Sequence, residues 1–307
     1  MAPKVSVIIP AYNARNTIAH ALESVLRQTI HDIEIIIIDD ASDDGTPQIV
    51  RTFKDSRVKL LCNVRNLGQG TSRNIGLRAA LGDYIAFLDA DDALHPNYLE
   101  LLLKEAVSLG VKAVLASDNW ICNSRMQPLY RMFVLRQLRL SSNINPISLG
   151  ELISHRVDIK PFINRQALQQ ANVLFWDGAR GEEWLPFLVD LFVAGFQFFV
   201  LDIPLYYYRV HGSNVSRKYQ GVIREMQALQ RLMKEYNLDC EVLKLLQQYE
   251  SFLNQRAPWV ALRCGLMREF FGSLFRNPNA FWFPFQKVTD WYRRIKIKLL
   301  NWPARYA

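Results

Sequence analysis

The sequence predicts an α/β fold, a mostly parallel, doubly wound sheet followed by a C-terminal helical extension. Three observations predict it. Short aliphatic runs alternate with segments that carry a helical stripe, the β-α-β order that leads to parallel pairing with right-handed crossovers. The runs are apolar at nearly every residue rather than at every second one, which suits strands covered on both faces. Two of them end in clustered acids, Asp39-Asp40 and Asp89 to Asp92, at the carboxyl ends of strands where such sheets bind their ligands.

Taken in order, Val5 to Ile9 reads as the first strand. Ile18, Ala21, Leu22, Val25 and Leu26 then recur at i, i+3, i+4, i+7 and i+8, the stripe of a helix packed on a sheet. Ile33 to Ile38 is a second strand, its β-branched isoleucines favouring the pleated conformation. Thr46 is expected to cap the next helix, with Pro47 at the first helical position. Val58 to Leu61 is a third strand, a loop with Gly68 and Gly70 follows, and the pattern predicts a helix over 71–81. Tyr84 to Leu88 is a fourth apolar run, and after Pro96 the residues Leu99, Leu102, Leu103 and Ala106 return to helical spacing.

The run Phe87-Leu88-Asp89-Ala90-Asp91-Asp92 delivers three carboxylates to one strand end. Such a cluster repels itself unless a hard cation sits among its oxygens, and Mg²⁺ or Mn²⁺ prefers carboxylate, phosphate and water. A solvated acidic turn before the next helix is the plainer reading of the same residues. Glycine-rich phosphate loops are missing. A dinucleotide fold needs G-x-G-x-x-G after the first strand, where this chain has Pro10-Ala11-Tyr12-Asn13; Gly68-Gln69-Gly70 comes later, with Arg73 in place of the third glycine. No G-x-x-x-x-G-K-[ST] loop occurs. A phosphate-bearing ligand would then be neutralised through a metal on the acids. Arg73 is either a helper in that task or a structural ion-pair partner of Asp39 or Asp89. Tyr12 offers a flat face for a nucleobase, or half-buried packing.

Four motifs in fixed order carry a resemblance: Val5-Ser6-Val7-Ile8-Ile9-Pro10-Ala11-Tyr12-Asn13; Ile38-Asp39-Asp40-Ala41-Ser42-Asp43-Asp44-Gly45-Thr46; Asn66-Leu67-Gly68 with Ser72-Arg73-Asn74; and Leu88-Asp89-Ala90-Asp91-Asp92. Together they resemble the family 2 glycosyltransferases of the GT-A fold, of the type that builds bacterial polysaccharides and lipid-linked oligosaccharides. The resemblance covers roughly residues 3 to 216. It implies an inverting transferase that uses a nucleotide-diphosphate sugar, most often a UDP-sugar, and a divalent metal, Mn²⁺ or Mg²⁺. By the same resemblance Pro10, Tyr12 and Asp40 would hold the base, with Asn13, Asp39, Arg73 and Asp89 on the donor side of the crevice. Asp91 would contact ribose or metal, and Asp91 or Asp92 would ligate the metal.

Inversion also needs a base for the acceptor hydroxyl. Gly181-Glu182-Glu183-Trp184 resembles the family's Glu-Asp segment, which makes Glu183 the expected base and Glu182 its rival; an acidic first helical turn is the structural alternative. Leu205-Tyr206-Tyr207-Tyr208-Arg209-Val210-His211-Gly212-Ser213-Asn214 resembles a further family element, which places His211 near the metal.

Composition fits a cytosol-facing enzyme. The four cysteines show neither metal spacing nor a disulfide framework, and Met1-Ala2-Pro3-Lys4 leads straight into the first strand with no apolar leader. The longest apolar stretch, Phe187 to Tyr208, is broken by Asp190, Gln197 and Asp202, which argues against a membrane span. The expected division is a catalytic domain over 1–216, with a nucleotide-sugar half over 1–110 and an acceptor half over 111–216, and a helical extension over 217–307. In the tail, Trp282, Trp291, Tyr292 and Trp302 interleave with basic residues, six from Lys287 onward against Asp290 alone. That pattern suits the surface of an anionic bilayer, and through it a lipid-linked or saccharide acceptor. The net charge of +8 comes with no nucleic-acid recognition motif. Two rival functions share the architecture: a nucleotidyltransferase, which should show a Gly-rich, Arg-containing loop after strand one, and an inactive binding scaffold, which would not need all the acids.

Overall fold

The computed structural model describes residues 3–132, 138, 140, 142–155, 159–179, 183–211, 219–236, 238, 240–263 and five positions between 269 and 280. Glu182, the segment from 212 to 218 and the aromatic, basic tail from 281 lie outside the described residues.

The strands are β1 (Val5–Ala11), β2 (Ile33–Asp39), β3 (Val58–Cys62), β4 (Tyr84–Phe87), β5 (Ala93–Leu94), β6 (Ala113–Cys122), β7 (Pro128–Arg131), β8 (Ile144–Ile147), β9 (Phe162–Asn164) and β10 (Gln197–Arg209). The helices are α1 (Ile18–Leu26), α2 (Thr46–Thr52), α3 (Gln69–Ala79), α4 (Tyr98–Leu109), α5 (Leu149–His155), α6 (Arg165–Ala171), α7 (Trp184–Val193), α8 (Tyr219–Glu235) and α9 (Cys240–Arg263). They build one sheet in the order β3-β2-β1-β4-β9-β6-β10-β5, with β7 beside β6 and β8 beside β10. The first four strands are parallel, as helical crossovers require. β9 then runs antiparallel to both β4 and β6, and β6 and β10 are parallel again.

Every residue of β1 and β2 is buried. The two-residue period of a strand sorts their side chains into two layers. Val7, Ile9, Ile35 and Ile37 join α1 and α4 on one face, while Ile8, Ile36 and Ile38 join Leu77 of α3, Phe187 of α7 and the helices of the extension on the other. Val222, Leu229 and Leu232 of α8 and Leu246 and Leu253 of α9 belong to that second layer, so the extension's described helices share a core with the sheet.

Two helix starts differ from the expectation. α2 begins at Thr46 itself, after Gly45 in the left-handed region at φ 92°, and Thr46 is buried inside the first turn. Its hydroxyl donates to Asp44 Oδ1 (2.6 Å), and the same carboxylate oxygen accepts the Thr46 amide (2.9 Å), so Asp44 satisfies the helix start. α3 begins two residues before position 71 because the Gly68 amide is already anchored to the carboxylate of Asp40 (2.8 Å). The apolar stretch from Phe187 resolves into α7 and β10, separated by a turn at Gly195 with φ 81°. No helix among the described residues is long and apolar enough to cross a membrane.

Candidate active site

The carboxyl ends of β1, β2 and β4 lie side by side, with Ala11 in register with Asp39 and the Leu88 amide bonded to Ile8 O (3.1 Å). Asp39 and Asp89 therefore flank the end of β1. Pro10 is buried within β1, and beyond it the Tyr12 side chain projects with 51% exposure. Asn13 adopts the left-handed conformation (φ 50°) that Asn tolerates well. Its side chain accepts from the Asp43 amide (3.1 Å) and its own amide donates to Ser42 Oγ (2.9 Å), tying the two strand-end loops together. Asp40 is engaged inside the protein: Oδ1 accepts from Asn63 Nδ2 and the Leu67 amide, Oδ2 from the Gly68 amide, each at 2.8 Å. Asp39 Oδ2 accepts the Ser42 amide (3.1 Å), while its buried Oδ1 has no hydrogen-bond partner among the described residues.

β10 holds the acid loop from the other side. Tyr206 Oη donates to Asp92 Oδ2 (2.7 Å) and accepts the Asp89 amide (3.2 Å). The Arg209 amide donates to Asp92 Oδ1 (2.8 Å), and Arg209 Nε to the carbonyl of Asp91 (2.6 Å). Of the two candidate metal ligands, Asp92 is the one turned to β10. It is buried with both oxygens committed to β10, and burial, then the nearby carboxylates of Asp91 and Asp89, push its acid well above the usual range. Asp91 points elsewhere. Its Oδ2 lies 2.8 Å from Nε2 of His211, and both side chains are partly exposed.

A second cluster lies beneath. Arg73, on α3, is 1% exposed; its Nη2 bonds Asp89 Oδ1 (2.5 Å) and its Nη1 bonds Glu183 Oε1 (2.6 Å). Arg73 thus makes the ion pair with Asp89 that one of its two readings expects, and both of its terminal nitrogens meet carboxylates. Glu183 is 2% exposed, just before α7. The remaining Asp89 oxygen, Oδ2, meets Lys160 Nζ at 3.0 Å. Burial would raise the Asp89 acid, but the Lys160 ammonium and the Arg73 guanidinium outweigh it and hold it at about 2. Both cations also lie against the Trp184 ring, Arg73 at 4.5 Å and Lys160 at 4.6 Å from its centroid.

α3 is fixed by the loop before α7. Asn74 brackets Phe175, donating to its carbonyl (2.8 Å) and accepting its amide (2.9 Å), and the Gly70 amide donates to Ala179 O (3.1 Å). The structure thus gathers Arg73, Asp89, Asp91, Glu183 and His211 around one strand end. Sequence reasoning missed three residues there. Tyr206 and Arg209 lay inside a segment already singled out for His211, whereas Lys160 belongs to no motif and only the fold brings it in.

A metal ion fits Asp91 and His211 in ligand chemistry. Among the described residues no three His, Cys, Asp or Glu side chains converge. Such an ion would hold two protein ligands and leave the rest to phosphate oxygens and water, the habit of Mg²⁺ and Mn²⁺ at diphosphate sites.

Comparison with known proteins agrees with this geometry. The model of the family described as "Glycosyl transferase family 2" matches residues 6–170, just over half of the chain. The succinoglycan biosynthesis protein ExoO of Rhizobium meliloti is 31% identical, over 77% of this chain and 70% of that protein. WfgD of Escherichia coli, a UDP-Glc:α-D-GlcNAc-diphosphoundecaprenol β-1,3-glucosyltransferase, is 44% identical over 34% of this chain and 43% of its own length. Among solved structures, S. aureus TarS 1–349 in complex with UDP-GlcNAc superposes with a TM-score of 0.58 at 22% identity, over 89% of this chain and 73% of that one. The mannosyltransferase PcManGT of Pyrobaculum calidifontis, in complex with GDP-Man and Mn²⁺, gives 0.60 at 18% identity, over 91% and 76%. These two show the shared GT-A fold, and the chain itself belongs to glycosyl transferase family 2, as a transferase of sugars.

Proposed function

We propose that this transferase moves a hexosyl unit, with inversion, from a UDP-sugar to a lipid-linked saccharide in the synthesis of a cell-surface polysaccharide. The observation that carries the reading is the approach of Asp91 to His211, at 2.8 Å and 120 positions apart in the chain. Asp91 and His211 would hold a Mn²⁺ or Mg²⁺ ion, whose charge stabilises that developing on a departing diphosphate. Tyr12 supplies an exposed ring for the base, and Asp39 Oδ1 is a buried acceptor suited to an N–H of the same base. Glu183 takes the proton of the acceptor hydroxyl as its oxygen bonds to the anomeric carbon and the bond from that carbon to the diphosphate breaks. Arg73 fixes the orientation of that carboxylate. The lipid-linked acceptor is supported by the activity for which WfgD is named and by the basic, Trp-rich tail, which would hold the enzyme on the cytosolic face of the membrane.

Calorimetry of UDP binding with Mn²⁺ and then with EDTA tests the metal reading. Binding should weaken at least tenfold on chelation, and equal affinity in both would remove Asp91 and His211 as ligands. Glu183→Gln should preserve UDP affinity and lower turnover by roughly 10²-fold, the scale of a lost general base. If the rate is unchanged, the base is another residue.

A further inference from the structure

Lys160 is 3% exposed and touches Asp89, yet nothing in the reaction as proposed assigns it a task. Its place becomes clear from the edge that Arg73 turns to Asp89. A guanidinium binds a carboxylate best as a fork, two parallel N–H bonds to the two oxygens, and Nε together with Nη2 forms one such edge. Here only half of that fork is made. Nη2 donates to Asp89 Oδ1, while Nε is buried with no hydrogen-bond partner among the described residues. A buried donor without a partner is unfavourable, and the Asp89 oxygen that would satisfy it, Oδ2, is held by Lys160 Nζ at 3.0 Å.

We infer that Lys160 is a positioning residue that holds Asp89 Oδ2 out of hydrogen-bond reach of Arg73 Nε, so that Arg73 makes no fork on Asp89 and stays turned to Glu183. Without it, Oδ2 is released, the guanidinium rotates to pair Nε and Nη2 with Asp89, and Nη1 leaves Glu183 Oε1, which it now bonds at 2.6 Å. The Trp184 ring, against which both cations lie, supports the arrangement from one side. The inference rests on Glu183 acting as the base. It assigns to Lys160 an effect on turnover and little effect on donor binding.

The test measures Lys160→Met, Lys160→Arg, Glu183→Gln and the Lys160→Met/Glu183→Gln double variant for UDP affinity with Mn²⁺ and for kcat of sugar transfer. Lys160→Met should lower kcat on the order of tenfold while UDP affinity stays within about threefold. Lys160→Arg, which keeps a charged donor for Asp89, should recover most of the loss. In the double variant the two losses should not multiply, because residues that act as one unit are non-additive. Several results would overturn the inference: parental kcat in Lys160→Met, equal loss in Lys160→Arg, fully multiplicative losses, or a fall in UDP affinity that matches the fall in rate. If Lys160→Met does not fold, Lys160→Gln, which keeps an N–H for Oδ2 without the charge, should retain most of the parental kcat, and a tenfold loss in it would overturn the inference. A parental rate in Glu183→Gln would instead refute the base assignment, and this inference with it; a slow Glu183→Gln beside an unaffected Lys160→Met would refute the role of Lys160 alone.

Discussion

Gly70 offers the most direct probe of how the two parts of the crevice are joined. It sits in the first turn of α3, three residues before Arg73, where the helix meets the loop over 173–179. A Cβ at this position would lie 2.7 Å from the carbonyl oxygen of Trp176 and 3.0 Å from Ala179 Cβ. Neither neighbour yields readily, because Asn74 grips Phe175 at both backbone groups and Thr71 Oγ1 accepts the Gly178 amide (3.0 Å). In Gly70→Ala three effects compete. Alanine in a helix is favoured over glycine by up to about 1 kcal/mol. Forcing a methyl into filled space costs about 1–3 kcal/mol, and moving the loop away gives up the bond from Gly70 N to Ala179 O, worth about 1 kcal/mol. The collision wins, leaving a net destabilisation of roughly 2 kcal/mol, or about 4–8 °C in Tm for a domain of this size. Gly178→Ala is the control. That glycine has φ 74°, but among the described residues no atom beyond its chain neighbours lies within 4 Å of where a methyl would stand, so only backbone strain of about 1–2 kcal/mol applies. Thermal melts of both variants, with UDP affinity and transfer rate, separate the cases. Gly70→Ala should lose more turnover than Gly178→Ala at equal stability, since the displaced turn carries Arg73. A Gly70→Ala protein that melts at or above the parent temperature would refute the tight contact.

Three further outcomes are expected. Burial would raise the Glu34 acid, but Lys59 Nζ (2.6 Å), Ser6 Oγ (2.5 Å) and the Leu81 amide (2.6 Å) outweigh it and hold it below its usual value. Its stabilising effect is therefore present above the unfolded value of about 4.3 and lost as pH falls through the lower folded one; the Tm gap between the parent and Glu34→Gln should be constant from about pH 6 to 8 and narrow below about pH 4, and a gap unchanged at pH 3 refutes this. Asp91→Asn should remove the metal-dependent part of UDP affinity with little change in Tm, whereas Asp92→Ala should lower Tm, because Tyr206 Oη and the Arg209 amide lose a buried acceptor worth about 1–3 kcal/mol each; the reverse pattern would restore Asp92 as the ligand. The full chain should co-sediment with anionic liposomes and partly release at high salt, each tail Lys or Arg contributing about 1 kcal/mol, while a chain ending at Asn277 stays in solution; equal sedimentation of the two would refute membrane attachment by the tail.

What the sequence revealed of the fold is what local patterns encode. β1 and β2 are legible because their residues are apolar on both faces, and α1 because its stripe keeps to the helical period. Thr46 misled because a threonine before proline is a good cap in isolation, whereas here its hydroxyl and its amide are both donated to Asp44, two residues back. Site residues were legible where several share a short motif. Arg73 was seen with Asp89 as one of two partners, but its other partner, Glu183, lies 110 positions away and only the packing of α3 against the loop before α7 makes the pair. Lys160 carries no local signal at all. A single lysine between an isoleucine and a proline has a role only when β9 brings it beside the end of β4.

The pairing of these charges also bears on how a diphosphate is held. A buried ion is favourable only when it is matched, and in the cluster two cations, Arg73 and Lys160, face two anions, Asp89 and Glu183, at distances of 2.5 to 3.0 Å. The cluster is neutral as it stands. The charges of Arg73 and Lys160 are already matched by the two carboxylates they face, so the positive charge a diphosphate requires has to come from elsewhere. The chain has no glycine-rich phosphate loop to supply it through backbone amides. The pair formed by Asp91 and His211 stands apart from the neutral cluster and is partly exposed; an acid and an imidazole there attract a cation rather than the anion itself. On the proposed reading, donor binding should therefore depend on the divalent ion, and neutralising Lys160 should leave that dependence intact while Asp91→Asn abolishes it.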